Sequence, residues 1–177
     1  MTQKVEEQPL VNRVAQSSLI TINLEDYLPE MEIIGFDLKD YLFRELLLRE
    51  KDFRAALKEH NWSQYSGKGL AVYCSSDAII PQWAYMLVAA YAEPHTYQVS
   101  LGTPADMLSS MLLANVNAIA GSDFDGKRVV VKGCSDKEVP TAAYLAITAK
   151  LQPYAQSIMY GEPCSTVPIF KRPRKTT

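Results

Sequence analysis

From Ser66 onward, short β-rich runs alternate with helical runs at intervals too long for hairpins, and this alternation restricts the fold more than any other feature. Gly69 to Tyr73 (GLAVY), Tyr97 to Leu101 (YQVSL), Arg128 to Lys132 (RVVVK) and Ser157 to Tyr160 (SIMY) read as strands. Between them, the stretches Ile79 to Tyr91, Pro104 to Ala120 and Pro140 to Leu151 are long enough for helices. Strands separated by helices are joined by crossovers, so they lie parallel. We therefore expect a three-layer α/β fold with a largely parallel sheet. The middle helix is the best marked: Thr103 caps it, Pro104 suits its first turn, and Leu108, Met111, Leu112, Val116 and Ile119 recur at helical spacing before Gly121. The outer two stop at Glu93-Pro94 and Gln152-Pro153, because the residue before a proline resists helical geometry.

The outer units also resemble each other. A shift of 59 residues superposes Pro81 on Pro140, Ala84 on Ala143, Tyr85 on Tyr144, Ala90 on Ala149, Pro94 on Pro153, Gly102 on Gly161 and Pro104 on Pro163, seven identities in the 24 positions from Pro81 to Pro104. Chance supplies roughly one or two. We read an internally duplicated βαβ unit across residues 66–168, the alternative being two similar units obeying the same local rules. Right-handed crossovers with a flavodoxin-like strand order would set the first, third and fourth of these strands side by side. Before the repeat, Leu19 to Leu24 and Glu32 to Phe36 are candidate strands, and Leu46 to His60 a candidate amphipathic helix.

With 177 residues, of which 47% are hydrophobic and 21% charged, the chain fits one globular domain over residues 1–177, with flexible ends at 1–10 and 171–177. A net charge of -2 gives no field to gather nucleic acid or acidic lipid, and the basic run Lys171 to Lys175 reads as a solubilising tail. No apolar stretch reaches the roughly 20 residues a membrane span needs, and the first ten residues lack a secretory signal. We expect a cytoplasmic chain with no nucleic-acid or membrane partner. Its three cysteines are an odd number and, in a reducing compartment, read as free thiols or metal ligands.

Those cysteines obey a rule. Cys74 follows the first strand of the repeat region, Cys134 the third, and Cys164 the fourth, each in a Cys-Ser context with a proline shortly after: CSSDAIIP, CSDKEVP and CSTVP. In one parallel sheet the carboxyl ends of all strands share an edge, where ligands bind. Neighbouring strands are about 4.8 Å apart and two thiolates on one zinc about 3.8 Å apart, so a shared ion is geometrically open to them. Ser75, Ser76, Asp77, Ser135 and Asp136 are good caps, so Cys74 and Cys134 would sit at helix N-termini, which favour thiolates. The expected site is thus Cys74, Cys134 and Cys164 around zinc or an iron–sulfur cluster, with Asp37 as fourth ligand. The alternatives are an enzyme using Cys74 or Cys134 as nucleophile, a metal-free dimeric interaction module, and cysteines serving as small buried hydrophobes. His95 falls at the opposite strand edge and His60 at a helix end, so neither is expected to ligate. Trp83 is placed to wall the site. No phosphate loop, HExxH pair or nucleophile elbow is present.

The segments LLLREKDFR (46–54), HNWSQY (60–65), CSSDAIIPQWAYML (74–87), VVVKGCSDKEVP (129–140) and GEPCSTVPIFK (161–171) resemble a small bacterial cytosolic family, domain of unknown function 2480, over nearly the whole chain. The resemblance implies no assigned enzymatic activity. It implies a loose association with genes for iron–sulfur cluster assembly, which adds iron–sulfur assembly proteins to the expected partners, beside a metal ion and a second copy of the chain.

Overall fold

The computed structural model describes residues 19–133, 137–162 and 164–173. In chain order the strands and helices begin with β1 (Leu19–Asn23), β2 (Ile33–Asp37), β3 (Leu42–Phe43), β4 (Leu47–Leu48), α1 (Glu50–Glu59) and β5 (Gly69–Tyr73). They continue with α2 (Gln82–Ala92), β6 (Gln98–Leu101), α3 (Pro104–Ala118), β7 (Arg128–Lys132), α4 (Thr141–Leu151), β8 (Ser157–Glu162) and β9 (Ser165–Lys171). Two compact units result, Leu28–Asn115 and the pair of segments Met1–Tyr27 with Val116–Thr177. The fold is mixed α/β and its strands are largely parallel, as the alternation predicts.

In the unit Leu28–Asn115, β2, β5 and β6 form a parallel sheet in that order, with Ile33 opposite Gly69 and Gly69 opposite Gln98. β5 has no charged residue and buries Gly69 to Val72, as a central strand covered on both faces must. Phe36, Phe53, Leu57, Leu70, Val72 and Val88 form its core. Phe53 and Leu57, both essentially solvent-free, each contribute about 1.5–3 kcal/mol through burial. α3 opens with a reciprocal capping box: Thr103 N–H donates to the Asp106 carboxylate at 2.8 Å, and Asp106 N–H donates to the Thr103 hydroxyl at 3.3 Å. The predicted helix from Leu46 is shorter, because Arg44 and Glu45 take positive φ (52° and 60°) and turn Leu47–Leu48 back onto Leu42–Phe43 as β4.

In the other unit, β1, β7 and β8 are parallel, with Leu19 opposite Arg128 and Arg128 opposite Ser157, and β9 closes the edge antiparallel to β8. Val129, Val130 and Val131 are buried in β7, and Ala143, Ile147 and Leu151 are buried in α4. β9 was not expected. It runs through Lys171, and Arg172 donates to the carbonyls of Gln152, Ala155 and Pro153, the last at 2.6 Å. The first ten residues lie outside the described chain.

The flavodoxin-like order is corrected. β5 pairs with β2 and β6, and β7 with β1 and β8, in separate sheets. A strand has only two edges; the N-terminal strands take those that β5 and β7 were expected to offer one another. Within each unit the elements nonetheless keep one spacing. The 3-10 turn Trp62–Tyr65, β5, α2 and β6 each begin 59 residues before the turn Gly121–Phe124, β7, α4 and β8. Gly67 and Gly126 share a positive φ (71° and 64°), as do Gly102 and Gly161 (115° and 118°). No helix among the described residues is long and apolar enough to cross a membrane.

Candidate functional site

Cys74 directly follows β5, at the carboxyl end of its sheet. Asp37 ends the adjacent strand β2, so the pairing of Asp37 with Tyr73 brings its carboxylate beside the Cys74-Ser75 turn. There it closes turns: Oδ1 accepts the N–H groups of Lys39 (2.9 Å) and Ser75 (3.0 Å). Partial burial pushes this carboxyl up, but the hydrogen bonds from Ser75 and Lys39, with the Lys39 charge, outweigh it and hold Asp37 below the ordinary carboxylate value. Cys74 Sγ lies 3.3 Å from the Ser76 hydroxyl, which cannot take a thiol proton at neutral pH. The expected helix N-terminus is absent from this point, since α2 begins only at Gln82.

The metal site is therefore corrected. Cys74 follows a strand of one sheet, and Cys164 lies in the exposed turn between β8 and β9 of another. Cys134, Ser135 and Asp136 lie outside the described residues. Among the described residues, no group of three His, Cys, Asp or Glu side chains is placed to hold a metal ion. The premise that failed is the single sheet edge, because two sheets give two edges. Zinc and iron–sulfur ligation have no geometric support in this arrangement.

His95 sits in the turn before β6, at the amino end of a strand parallel to β5. His60 belongs to an aromatic layer, stacked on Tyr65 at 5.6 Å and tilted against Trp62 at 4.7 Å. Its Nε2 lies 2.9 Å from the Tyr65 hydroxyl and 3.1 Å from the Gln64 amide nitrogen, and burial pushes its pKa below the ordinary value. Trp83 tilts against Phe53 at 6.2 Å and packs against the core of its unit.

A large recess belongs to the unit containing α4. It is a cleft of about 1170 Å³, floored by Val131, Ile158 and Tyr160 and walled by Tyr144, Leu145, Thr148 and Ala149 of α4 and Ile169 of β9. Lys137 and Glu138, from the segment entering α4, bring one charge of each sign to it. The Tyr144 hydroxyl donates to the Gly133 carbonyl at 2.7 Å, and its ring meets Tyr160 edge-on at 5.8 Å. Leu145 is 71% and Ile169 52% exposed, so the walls present bare apolar surface.

A smaller cleft of about 490 Å³ occurs in the unit Leu28–Asn115. Each residue lining it stands 59 positions before one lining the larger cleft, as in Val72 and Val131, Ile80 and Val139, Tyr85 and Tyr144, or Leu101 and Tyr160. The position 59 before Gly133 is Cys74 itself. Burial, and then the Cys74 charge, push the Tyr85 phenol up.

The sequence model of DUF2480, a family described as proteins of unknown function, matches residues 8–172. The chain belongs to the DUF2480 family. No curated protein and no solved structure matches it. The segments from LLLREKDFR to GEPCSTVPIFK thus point to the right family.

What sequence reasoning missed in this DUF2480 chain is the pair of clefts. Their signal was present in the helices: α2 (QWAYMLVAAYA) has no charged residue and α4 (TAAYLAITAKL) only Lys150. Such helices carry more apolar surface than one core-facing stripe needs.

Proposed function

We propose that this DUF2480 chain is a binding protein assembled from two copies of one βαβ unit, and that its α4 cleft holds a small, mostly apolar, uncharged molecule. The observation carrying this reading is the cleft of about 1170 Å³ with exposed apolar side chains on its walls. Ligand sites are concave, largely apolar and commonly about 300–1,000 Å³ in size; this cleft is slightly larger than that range. Lys137 and Glu138 oppose each other in sign, so the lining favours neither an anion nor a cation. Thr141, Thr148 and Gln152 supply hydrogen bonds for one polar end. The constant spacing of 59 residues, kept by strands, helices, positive-φ glycines and cleft linings, supports duplication as the origin of both recesses. The exposed Cys164 thiol suits a reducing cytoplasm, where it escapes oxidation.

Titration with the neutral apolar dye Nile red tests the reading. Saturable fluorescence enhancement at one site is expected, abolished by Ala149→Trp, which projects an indole into the cleft from an exposed helix position. Met86→Trp, in the smaller cleft, should leave it intact. Enhancement that never saturates, or that survives Ala149→Trp in a folded variant, overturns the assignment.

A further inference from the structure

The two sheets differ at one edge. In the unit containing α4, β8 is covered by β9, antiparallel, with Tyr160 opposite Val167 and Ile158 opposite Phe170. In the unit Leu28–Asn115 the equivalent strand, β6, pairs with β5, and among the described residues no strand pairs with its other side. The Gly102 N–H donates to the Val72 carbonyl at 2.9 Å, which fixes the alternation in a parallel ladder. Gln98 and Ser100 direct their backbone groups to β5, so Val99 and Leu101 direct theirs outward. An open edge is a template for another strand, and proteins usually blunt it with charge, proline or a bulge. Tyr97 to Leu101 (YQVSL) holds no charge and no proline. Around it the surface is apolar: Tyr97 is 66%, Leu101 75% and Met86 70% exposed.

We propose that β6 pairs antiparallel with β6 of a second copy, joining two three-stranded sheets across a two-fold axis through Ser100. The register comes from the backbone. The Tyr97 N–H is already donated to the Lys68 carbonyl at 2.8 Å, leaving Val99 and Leu101 as the strand residues with outward groups. Pairing Val99 of one copy with Leu101 of the other satisfies both pairs at once, and each apolar side chain meets another on the cleft face. The second copy then supplies the wall that the smaller cleft lacks and that Ile169 gives the larger one. An edge that fits itself under a two-fold is the self-complementary interface a symmetric dimer requires.

Sedimentation velocity and cysteine cross-linking on the full chain test this. The wild-type chain should sediment as a dimer at micromolar concentration. Leu101→Lys, at an exposed position that folding does not need, should weaken that dimer about tenfold or more. Ser100→Cys places the two introduced thiols opposite each other in a non-hydrogen-bonded pair, with Cα atoms about 4.5 Å apart, within disulfide range. Oxidised glutathione should then give a covalent dimer that wild type and Gln98→Cys do not form. A monomeric wild type, including one that takes a foreign strand on this edge, overturns the proposal. So does a dimer indifferent to Leu101→Lys, or cross-linking through Gln98→Cys as fast as through Ser100→Cys.

Discussion

Gly133 tests whether the geometry around the α4 cleft is right. A Cβ added there would lie 2.8 Å from the Tyr144 hydroxyl and 3.2 Å from both Leu24 Cβ and Val139 Cγ2. Real Cβ atoms do not approach that closely, so the tyrosine must move and lose its bond to the Gly133 carbonyl. Overpacking costs about 1–3 kcal/mol and a lost hydrogen bond about 1 kcal/mol, so Gly133→Ala should destabilise by about 2–4 kcal/mol. For a chain of this length that lowers Tm by roughly 5–12 °C. Tyr144→Phe alone should cost about 1 kcal/mol. In the Tyr144→Phe background the obstructing oxygen is gone, so the alanine should cost less, giving a coupling of about 1 kcal/mol or more. Urea unfolding of the four proteins measures this cycle. An alanine equally costly in both backgrounds, or nearly free in the wild type, would refute the packing around Tyr144 and the shape of the cleft with it.

Gly161→Ala should be more damaging, because φ of 118° disfavours a side chain and the new Cβ would lie 2.6 Å from the Ser165 backbone oxygen; a loss of about 2 kcal/mol or more is expected in the same unfolding assay. His60 gives the pH dependence. Burial lowers its folded pKa below the ordinary 6.5, so its contribution to stability is complete above about pH 6.5 and is lost as pH falls through the depressed value. Denaturation between pH 7.5 and pH 5 should show that decline, and His60→Gln should flatten it.

Local rules were legible where local physics decides. The Thr103 cap, the prolines after Glu93 and Gln152 and the uncharged β5 each act within a few residues, and the elements they define fall close to the expected places. The spacing of 59 was legible because identities recur wherever the same turn recurs, as at Gly102 and Gly161. Strand partnership was not. β1 and β2 are unremarkable five-residue runs, and nothing in LITIN or IIGFD says that one pairs with β7 and the other with β5. The three-cysteine site inherited that error, since it needed β5 and β8 to end on one edge. Asp37 shows how near and how different the outcome was. Its strand is parallel and beside Cys74 as expected, yet its carboxylate is occupied by two backbone N–H groups.

The two clefts show why a repeated unit need not repeat a function. Tyr85 and Tyr144 hold the same position, but the position 59 before Gly133 carries the Cys74 side chain, whereas Tyr144 bonds to the carbonyl of Gly133, where a side chain would strike the ring's hydroxyl. After the third strand the chain diverges. One copy turns through Gly102 into a capped helix, α3; the other turns through Gly161 into β9. With β9 in place, one sheet edge is closed and Ile169 walls the larger recess. With α3 instead, the edge stays open and the recess is less than half as large. The element placed after the last strand thus decides whether that sheet edge is covered by a strand of the same unit.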